Sequence, residues 1–88
     1  MNYDILQKIK DAGGQRKVMR IIYTEKDGTS EGWRYVEPYS FRSSEAGEES
    51  LYAWDRGKNG IRRFLLDRID QAEVVDEIFN PRYPVEIS

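Results

Sequence analysis

From Lys17 onward, the apolar residues of this chain tend to recur at every second position, in short runs separated by polar segments. A period of two is typical of β-strands, because successive side chains of a strand point to opposite faces of a sheet. The segments between the runs are rich in glycine and other residues that favour tight turns. The pattern predicts five short antiparallel strands, at residues 18–24, 33–42, 50–55, 61–66 and 71–77.

The chain begins with a different period. Ile5, Ile9 and Ala12 recur at helical spacing, which predicts a short amphipathic helix. We expect Asn2 to cap this helix and the glycine pair at 13–14 to end it, since glycine readily adopts the left-handed conformation that follows a helix. A helix of this length is not stable alone, so we expect it to lie across one end of the strands.

One helix followed by five short antiparallel strands predicts a single domain of the mainly β class. We expect a small five-stranded barrel of the Sm-like or SH3 type at residues 17–77, with the short N-terminal helix and its cap at 1–14 and a tail at 78–88. Pro38 cannot donate a hydrogen bond to a ladder, so it predicts a bend or bulge in the second strand.

The second predicted strand carries a row of aromatic residues that alternation places on one face, interrupted by Glu37. The row consists of Trp33, Tyr35, Tyr39 and Phe41. Aromatic side chains remove a large apolar area from water when they are buried. We therefore expect this row to form the core, or to form a face for self-association if it is exposed.

The chain contains neither cysteine nor histidine. Disulfides and cysteine-ligated metals are excluded, and the commonest general base is missing. Adjacent carboxylates diverge along strands, and we find no catalytic motif. We therefore expect a protein that is not an enzyme and holds no metal or cofactor. No apolar run approaches the ~20 residues of a bilayer-spanning helix, so we expect no membrane partner and a cytoplasmic location.

The charge is distributed unevenly along the chain. A net charge of −2 argues against a strongly basic surface that coats nucleic acid. Residues 56–68 nevertheless hold five basic residues against Asp67 alone, namely Arg56, Lys58, Arg62, Arg63 and Arg68. A locally basic strand pair on an acidic chain is compatible with one small anionic site.

Arg62 and Arg68 are the candidate anion contacts, because a guanidinium group can bind an oxyanion with two hydrogen bonds. Tyr52 and Trp54 alternate onto one face of the third strand, and we expect them beside Arg62, where aromatic rings could stack on bases. Arg20 is a further candidate for the basic set. The alternative interpretation is that the arginines are solvated at a rim and that Trp54 packs in the core.

Three blocks in order resemble the WYL domain of bacterial transcriptional regulators. They read R-x-V-x-P from Arg34, L-x-A-x-D from Leu51 and R-x-F-x-L-D-R-I from Arg62, and the resemblance covers residues 17–78. It implies an Sm-like barrel that senses a negatively charged ligand, such as a nucleotide or single-stranded nucleic acid. Family members typically carry a helix-turn-helix ahead of the barrel.

This chain departs from the family pattern in three places. The 16 residues before the predicted barrel are too few for a helix-turn-helix, so we expect a stand-alone domain. The triplet that names the family falls at residues 49–51, where only Leu51 agrees. Leu65 stands where the family has a second arginine.

The sequence therefore leaves two functions open. The first is a stand-alone regulatory domain that binds a nucleotide or a short single-stranded nucleic acid through a basic and aromatic surface. The alternative is a protein–protein interaction module that kept the barrel and lost the ligand site, with a protein partner or a homodimer.

Overall fold

The computed structural model describes residues 3–87, in which one helix packs against a five-stranded antiparallel sheet. The predicted helix and all five strands are present, and the strand ends differ from the predicted ones by no more than two residues. The elements are α1 (Tyr3–Gln15), β1 (Lys17–Tyr23), β2 (Trp33–Ser43), β3 (Glu49–Asp55), β4 (Gly60–Leu65), a 3₁₀ turn η1 (Leu66–Arg68) and β5 (Ile69–Ile78). The expected cap at Asn2 lies outside the described residues.

The strand order across the sheet is β4-β3-β2-β1-β5. The mainly β class is thus confirmed, but the expected barrel is not closed, since among the described strands β4 and β5 are edges that do not pair with each other. At the end of β4 the Leu65 N–H donates to the Tyr23 hydroxyl at 2.9 Å, so a side chain on β1 contacts the last residue of β4.

The main core lies between α1 and the face of the sheet that α1 covers. Ile9 and Ala12 of the helix are fully buried against the strands, as the helical spacing predicted. The strand residues of this core include Met19, Ile21, Val36, Leu51, Ala53 and Phe64. A smaller cluster of Val18, Tyr39 and Phe79 forms separately.

A β-bulge in β2 confirms the bend that Pro38 predicted, since the pairing with β3 shifts between Pro38 and Ser40. The bulge also explains why the predicted aromatic row does not lie on one face, while self-association through its exposed members stays a prediction. An extra residue in one strand reverses which side chains face the core. Before the bulge Trp33 and Tyr35 point outward and are 36% and 44% exposed, whereas after it Phe41 packs against the main core.

The expected helix stop at the glycine pair is also wrong, because α1 continues to Gln15. A Cβ built on Gly13 would lie 2.6 Å from Ile87 Cβ, so this glycine lets the end of the chain pack on the helix. Arg16 takes the left-handed conformation instead, with φ of 53°. Its carbonyl accepts from the Phe79 N–H at 2.9 Å, which ties the helix end to the end of β5.

The two neighbouring glycines of α1 allow a matched test of this packing. We expect Gly13→Ala to lower the free energy of unfolding by about 1–3 kcal/mol, because the added methyl group overpacks against Ile87. Gly14→Ala meets nothing within 4 Å and should raise it by about 0.5–1 kcal/mol through helix propensity. Urea unfolding of both variants measures the difference, and equal effects would contradict the close approach.

Candidate ligand-binding surface

A buried ion pair joins β2 to the end of β3. The Arg34 Nε donates to Asp55 Oδ2 at 3.2 Å, and the two side chains are 4% and 2% exposed. The other carboxylate oxygen of Asp55 accepts the backbone N–H groups of Gly57 and Lys58, so Asp55 also holds the turn that leads to β4. The guanidinium lies 5.3 Å from the centre of the Phe64 ring. These contacts hold the positively charged Arg34 side chain in a buried position.

Glu25, in the turn after β1, is contacted by three arginines. Its Oε1 accepts from Arg34 Nη1 at 3.1 Å and lies 3.7 Å from Arg62 Nη2. Its backbone carbonyl accepts from Arg68 Nη1 at 3.2 Å. Arg34, Arg62 and Arg68 come from β2, β4 and η1, so Glu25 lies where three separate segments bring positive charge together.

Beside Glu25, two adjoining depressions of about 620 and 370 Å³ form one surface, which we call the β4 cleft. Lys26 and Leu65 line both depressions. The basic side chains of the cleft are Lys26, Arg62, Arg63 and Arg68. The acidic side chains that line it are Glu25, Asp27, Glu31, Glu48, Glu49 and Asp67. The cleft therefore combines four cations with a surplus of carboxylates.

Two carboxylates of the cleft, Glu25 and Glu48, are partners of its arginines. Arg62 pairs with Glu25, and Arg63 pairs with Glu48 at 3.1 Å while donating to the Ser50 hydroxyl at 2.8 Å. These pairs are partly exposed, and exposed pairs contribute only about 0–1 kcal/mol each. An incoming anion that bonds the same guanidinium groups can therefore replace these carboxylates at small cost.

Glu31 lies between the β4 cleft and a third depression of about 520 Å³, which Trp33, Tyr35 and Arg34 help to line. Lys58 Nζ donates to Glu31 Oε1 at 2.9 Å. This hydrogen bond lowers the pKa of the Glu31 carboxyl, and the charges of Arg34 and Arg62 act in the same direction. Lys58, Arg34 and Arg62 thus favour the ionised form of the Glu31 carboxyl.

The structure brings two of the predicted site residues together and separates the others from them. Arg62 and Arg68 both line the β4 cleft and both contact Glu25. The expectation that Tyr52 and Trp54 flank Arg62 is wrong, because the β3–β4 register sets Arg62 opposite Ala53. Tyr52 and Trp54 consequently lie on the other face of the sheet.

Trp54 has other neighbours on that face. The Arg82 guanidinium lies 4.3 Å from the centre of its ring, and Tyr83 is also in contact. Trp54 packs against the smaller cluster, in agreement with the alternative that it contributes to packing. It is not available as a stacking partner for a ligand in the β4 cleft.

Arg20 is likewise outside the residues that line the β4 cleft. It forms an ion pair with Glu73 of β5. Its guanidinium lies 4.3 Å from the centre of the Trp33 ring. The hydrogen bond to Glu73 also raises the pKa of Arg20 above its ordinary value.

Sequence reasoning missed Arg34, Asp55 and Glu25 as site residues. Arg34 and Asp55 stand in the family blocks R-x-V-x-P and L-x-A-x-D, so a signal for them was present. Glu25 carries no such signal, because only the folded turn brings it to the arginines. Within residues 3–87 no group of three or more carboxylates could hold a metal ion, and no helix is long and apolar enough to cross a bilayer.

Comparison with protein families identifies the class. The model of the WYL domain matches residues 4–74, most of the chain, and the chain therefore belongs to the WYL domain family. WYL domains are typically regulatory, ligand-sensing domains of transcriptional regulators. The family resemblance read from the sequence is confirmed.

Among solved structures, the chain is similar to proteasome accessory factor B/C (PafBC) of Arthrobacter aurescens, with a TM-score of 0.80 and 27% sequence identity. The match covers 89% of this chain and 13% of PafBC, so this chain corresponds to a small part of that protein. No curated protein matches the chain.

The buried pair makes a clear prediction for stability. We expect Asp55→Ala to lower the free energy of unfolding by about 3–5 kcal/mol, because it leaves the buried Arg34 charge uncompensated. Asp76→Ala is the control, since the Asp76 side chain is fully exposed and its removal should cost under about 0.5 kcal/mol. If urea unfolding gave the same loss of free energy of unfolding for both variants, the Arg34–Asp55 pair would not be a major source of stability.

Proposed function

We propose that this WYL domain is a ligand-sensing module that binds the phosphate groups of a nucleotide or a short single-stranded nucleic acid in the β4 cleft. The observation that supports the proposal is the convergence of Arg34, Arg62 and Arg68 on Glu25. The guanidinium groups of Arg34 and Arg62 face one oxygen of this carboxylate, and Arg68 contacts the backbone carbonyl of the same residue. Such a positive surrounding suits an oxyanion. Lys26 and Arg63 add positive charge at the rim.

The size and charge of the cleft limit the ligand to a small one. Depressions of about 620 and 370 Å³ accommodate one or a few nucleotides. The net charge of −2 and the carboxylates around the cleft disfavour a long polyanion. With Tyr52 and Trp54 on the opposite face, recognition of phosphate rather than base stacking provides the affinity.

The direct test is a binding titration with ATP and with a deoxythymidine tetranucleotide at low salt. We expect Arg62→Ala to weaken binding about tenfold, because one charge-assisted contact is lost. The salt dependence of binding to the tetranucleotide should fall by about one unit of slope for the lost phosphate contact.

Arg42→Ala is the matched control for this titration. Arg42 is an exposed arginine that pairs with Glu86 and does not line the β4 cleft. We expect its affinity to remain within about twofold of the wild type, because exposed charges outside a site are largely screened by salt. No binding by the wild-type protein, or an equal loss in both variants, would refute the proposed site.

A second function, interaction with a protein partner, is favoured by one specific observation. Trp33 and Tyr35 are exposed on the face opposite the core, beside the depression of about 520 Å³. Exposed aromatic residues are enriched at protein interfaces. The similarity to part of a proteasome accessory factor supports a role within a larger regulatory assembly.

Self-association is the partner interaction that can be tested with this chain alone. If Trp33 and Tyr35 form a homodimer interface, the wild type should sediment as a dimer and the Trp33→Ala variant as a monomer, because a central aromatic contact often carries much of the binding energy. A wild-type protein that remains monomeric at high concentration would exclude the homodimer.

A further inference from the structure

The Glu25 carboxylate lies in the position that an anionic ligand of the β4 cleft would need. It joins Arg34 Nη1 of β2 to Arg62 Nη2 of β4 through a single oxygen, at 3.1 and 3.7 Å. Two guanidinium groups from different strands thus point at one oxyanion. A phosphate oxygen entering this point would find both donors in place.

We infer that Glu25 is an internal competitor, which occupies the oxyanion site of Arg34 and Arg62 until a phosphate group displaces it. This inference rests on the proposed function and adds a regulatory contact to it. Glu25 is 34% exposed, so solvent and ligands can reach it. Arg62 is exposed to a similar extent. Arg34 is buried and stays paired with Asp55 when Glu25 moves.

Arg34 has more hydrogen-bond donors than the described residues satisfy. Asp55 accepts from Nε and Glu25 accepts from Nη1. Among the side chains that the structure describes, Arg34 Nη2 is a buried donor with no hydrogen-bond partner. Buried donors are nearly always satisfied in proteins, and a missing partner calls for an explanation. A phosphate offers several acceptor oxygens where Glu25 uses one, so it can accept from both Arg34 and Arg62 at this point.

Charge compensation makes the exchange favourable. Arg34 and Arg62 are balanced by Asp55 and Glu25 in the folded chain. Loss of Glu25 alone would leave a partly buried positive charge without its counter-charge, which is costly. Replacement of Glu25 by a phosphate restores the balance. The carboxylate therefore leaves the site when an anion takes its place.

The turn that carries Glu25 can release the side chain without unfolding. The Glu25 N–H donates to the Thr29 carbonyl at 2.8 Å, and its own carbonyl accepts from the Gly28 N–H at 2.9 Å. Asp27 Oδ1 accepts the N–H and the hydroxyl of Thr29. Because these bonds do not involve the Glu25 carboxylate, the side chain can rotate out and place a new negative charge on the surface. Ligand-bound and ligand-free domains would then present different surfaces to a partner.

The first experiment compares Glu25→Gln with Glu31→Gln in a titration with ATP. Both substitutions remove one carboxylate charge from the lining of the cleft, but only Glu25 accepts from Arg34. If Glu25 competes with the ligand, Glu25→Gln should bind ATP about tenfold more tightly than the wild type. Glu31→Gln should change the affinity by no more than about twofold, because only a screened charge is lost.

The other outcomes separate this inference from the proposed function. Equal tightening in both variants would mean that only the local charge matters, and it would overturn the inference. A wild type that binds ATP, with Glu25→Gln unchanged or weaker, would also overturn it while the proposed function stands. If neither the wild type nor either variant binds ATP, two statements fail: the inference about Glu25 and the proposal that the β4 cleft binds ATP.

A second measurement uses the wild-type protein and does not depend on the folding of a variant. The carboxyl-carbon NMR signal of Glu25 should move toward that of a solvent-exposed glutamate as ATP is added. The Glu86 carboxyl, which pairs with Arg42 outside the cleft, should not move. A Glu25 signal that stays constant while ATP binds would show that the carboxylate remains on Arg34 and Arg62, and would refute the displacement.

Discussion

The buried ion pair between Arg34 and Asp55 is the interaction on which the rest of the structure depends. It places a positive charge next to the Phe64 ring inside a domain with a small core, where an unpaired charge would be too costly to keep. Asp55 extends the constraint, because its second oxygen holds the backbone of the turn into β4. The pair thus links β2, the end of β3 and the start of β4, and it orients the strand that carries Arg62.

The same pair also bears on the β4 cleft, because Arg34 reaches Glu25, which lines the cleft. One carboxylate satisfies Nε of Arg34, and the remaining donors of the guanidinium lie toward Glu25 or find no acceptor among the described side chains. The fold therefore keeps a buried arginine of which one donor reaches Glu25, the contact on which the proposed ligand site is built.

The alternation of apolar residues was enough to predict the helix and all five strands, because burial of one sheet face imposes a period of two. The alternation failed to predict which side chains face the core where a bulge shifted the strand by one residue. The bulge after Pro38 moved Phe41 to the core side and left Trp33 outside. The alternation also did not reveal that β4 and β5 remain edges of the described sheet and do not pair with each other. The glycine pair did not end the helix: Gly13 lies within α1, where it packs against Ile87, and Arg16 takes the left-handed conformation instead.

The amino-acid sequence by itself determined the class of the fold, the family and the presence of arginines in the block that begins at Arg62, since these follow from local period and residue order. Only the tertiary structure decided which arginines act together. The register of β3 with β4 turned Arg62 away from Tyr52, and the turn after β1 brought Glu25 to Arg34 and Arg62. Contacts between distant segments depend on strand pairing and on the path of turns. The local pattern of residues along the chain does not reveal them.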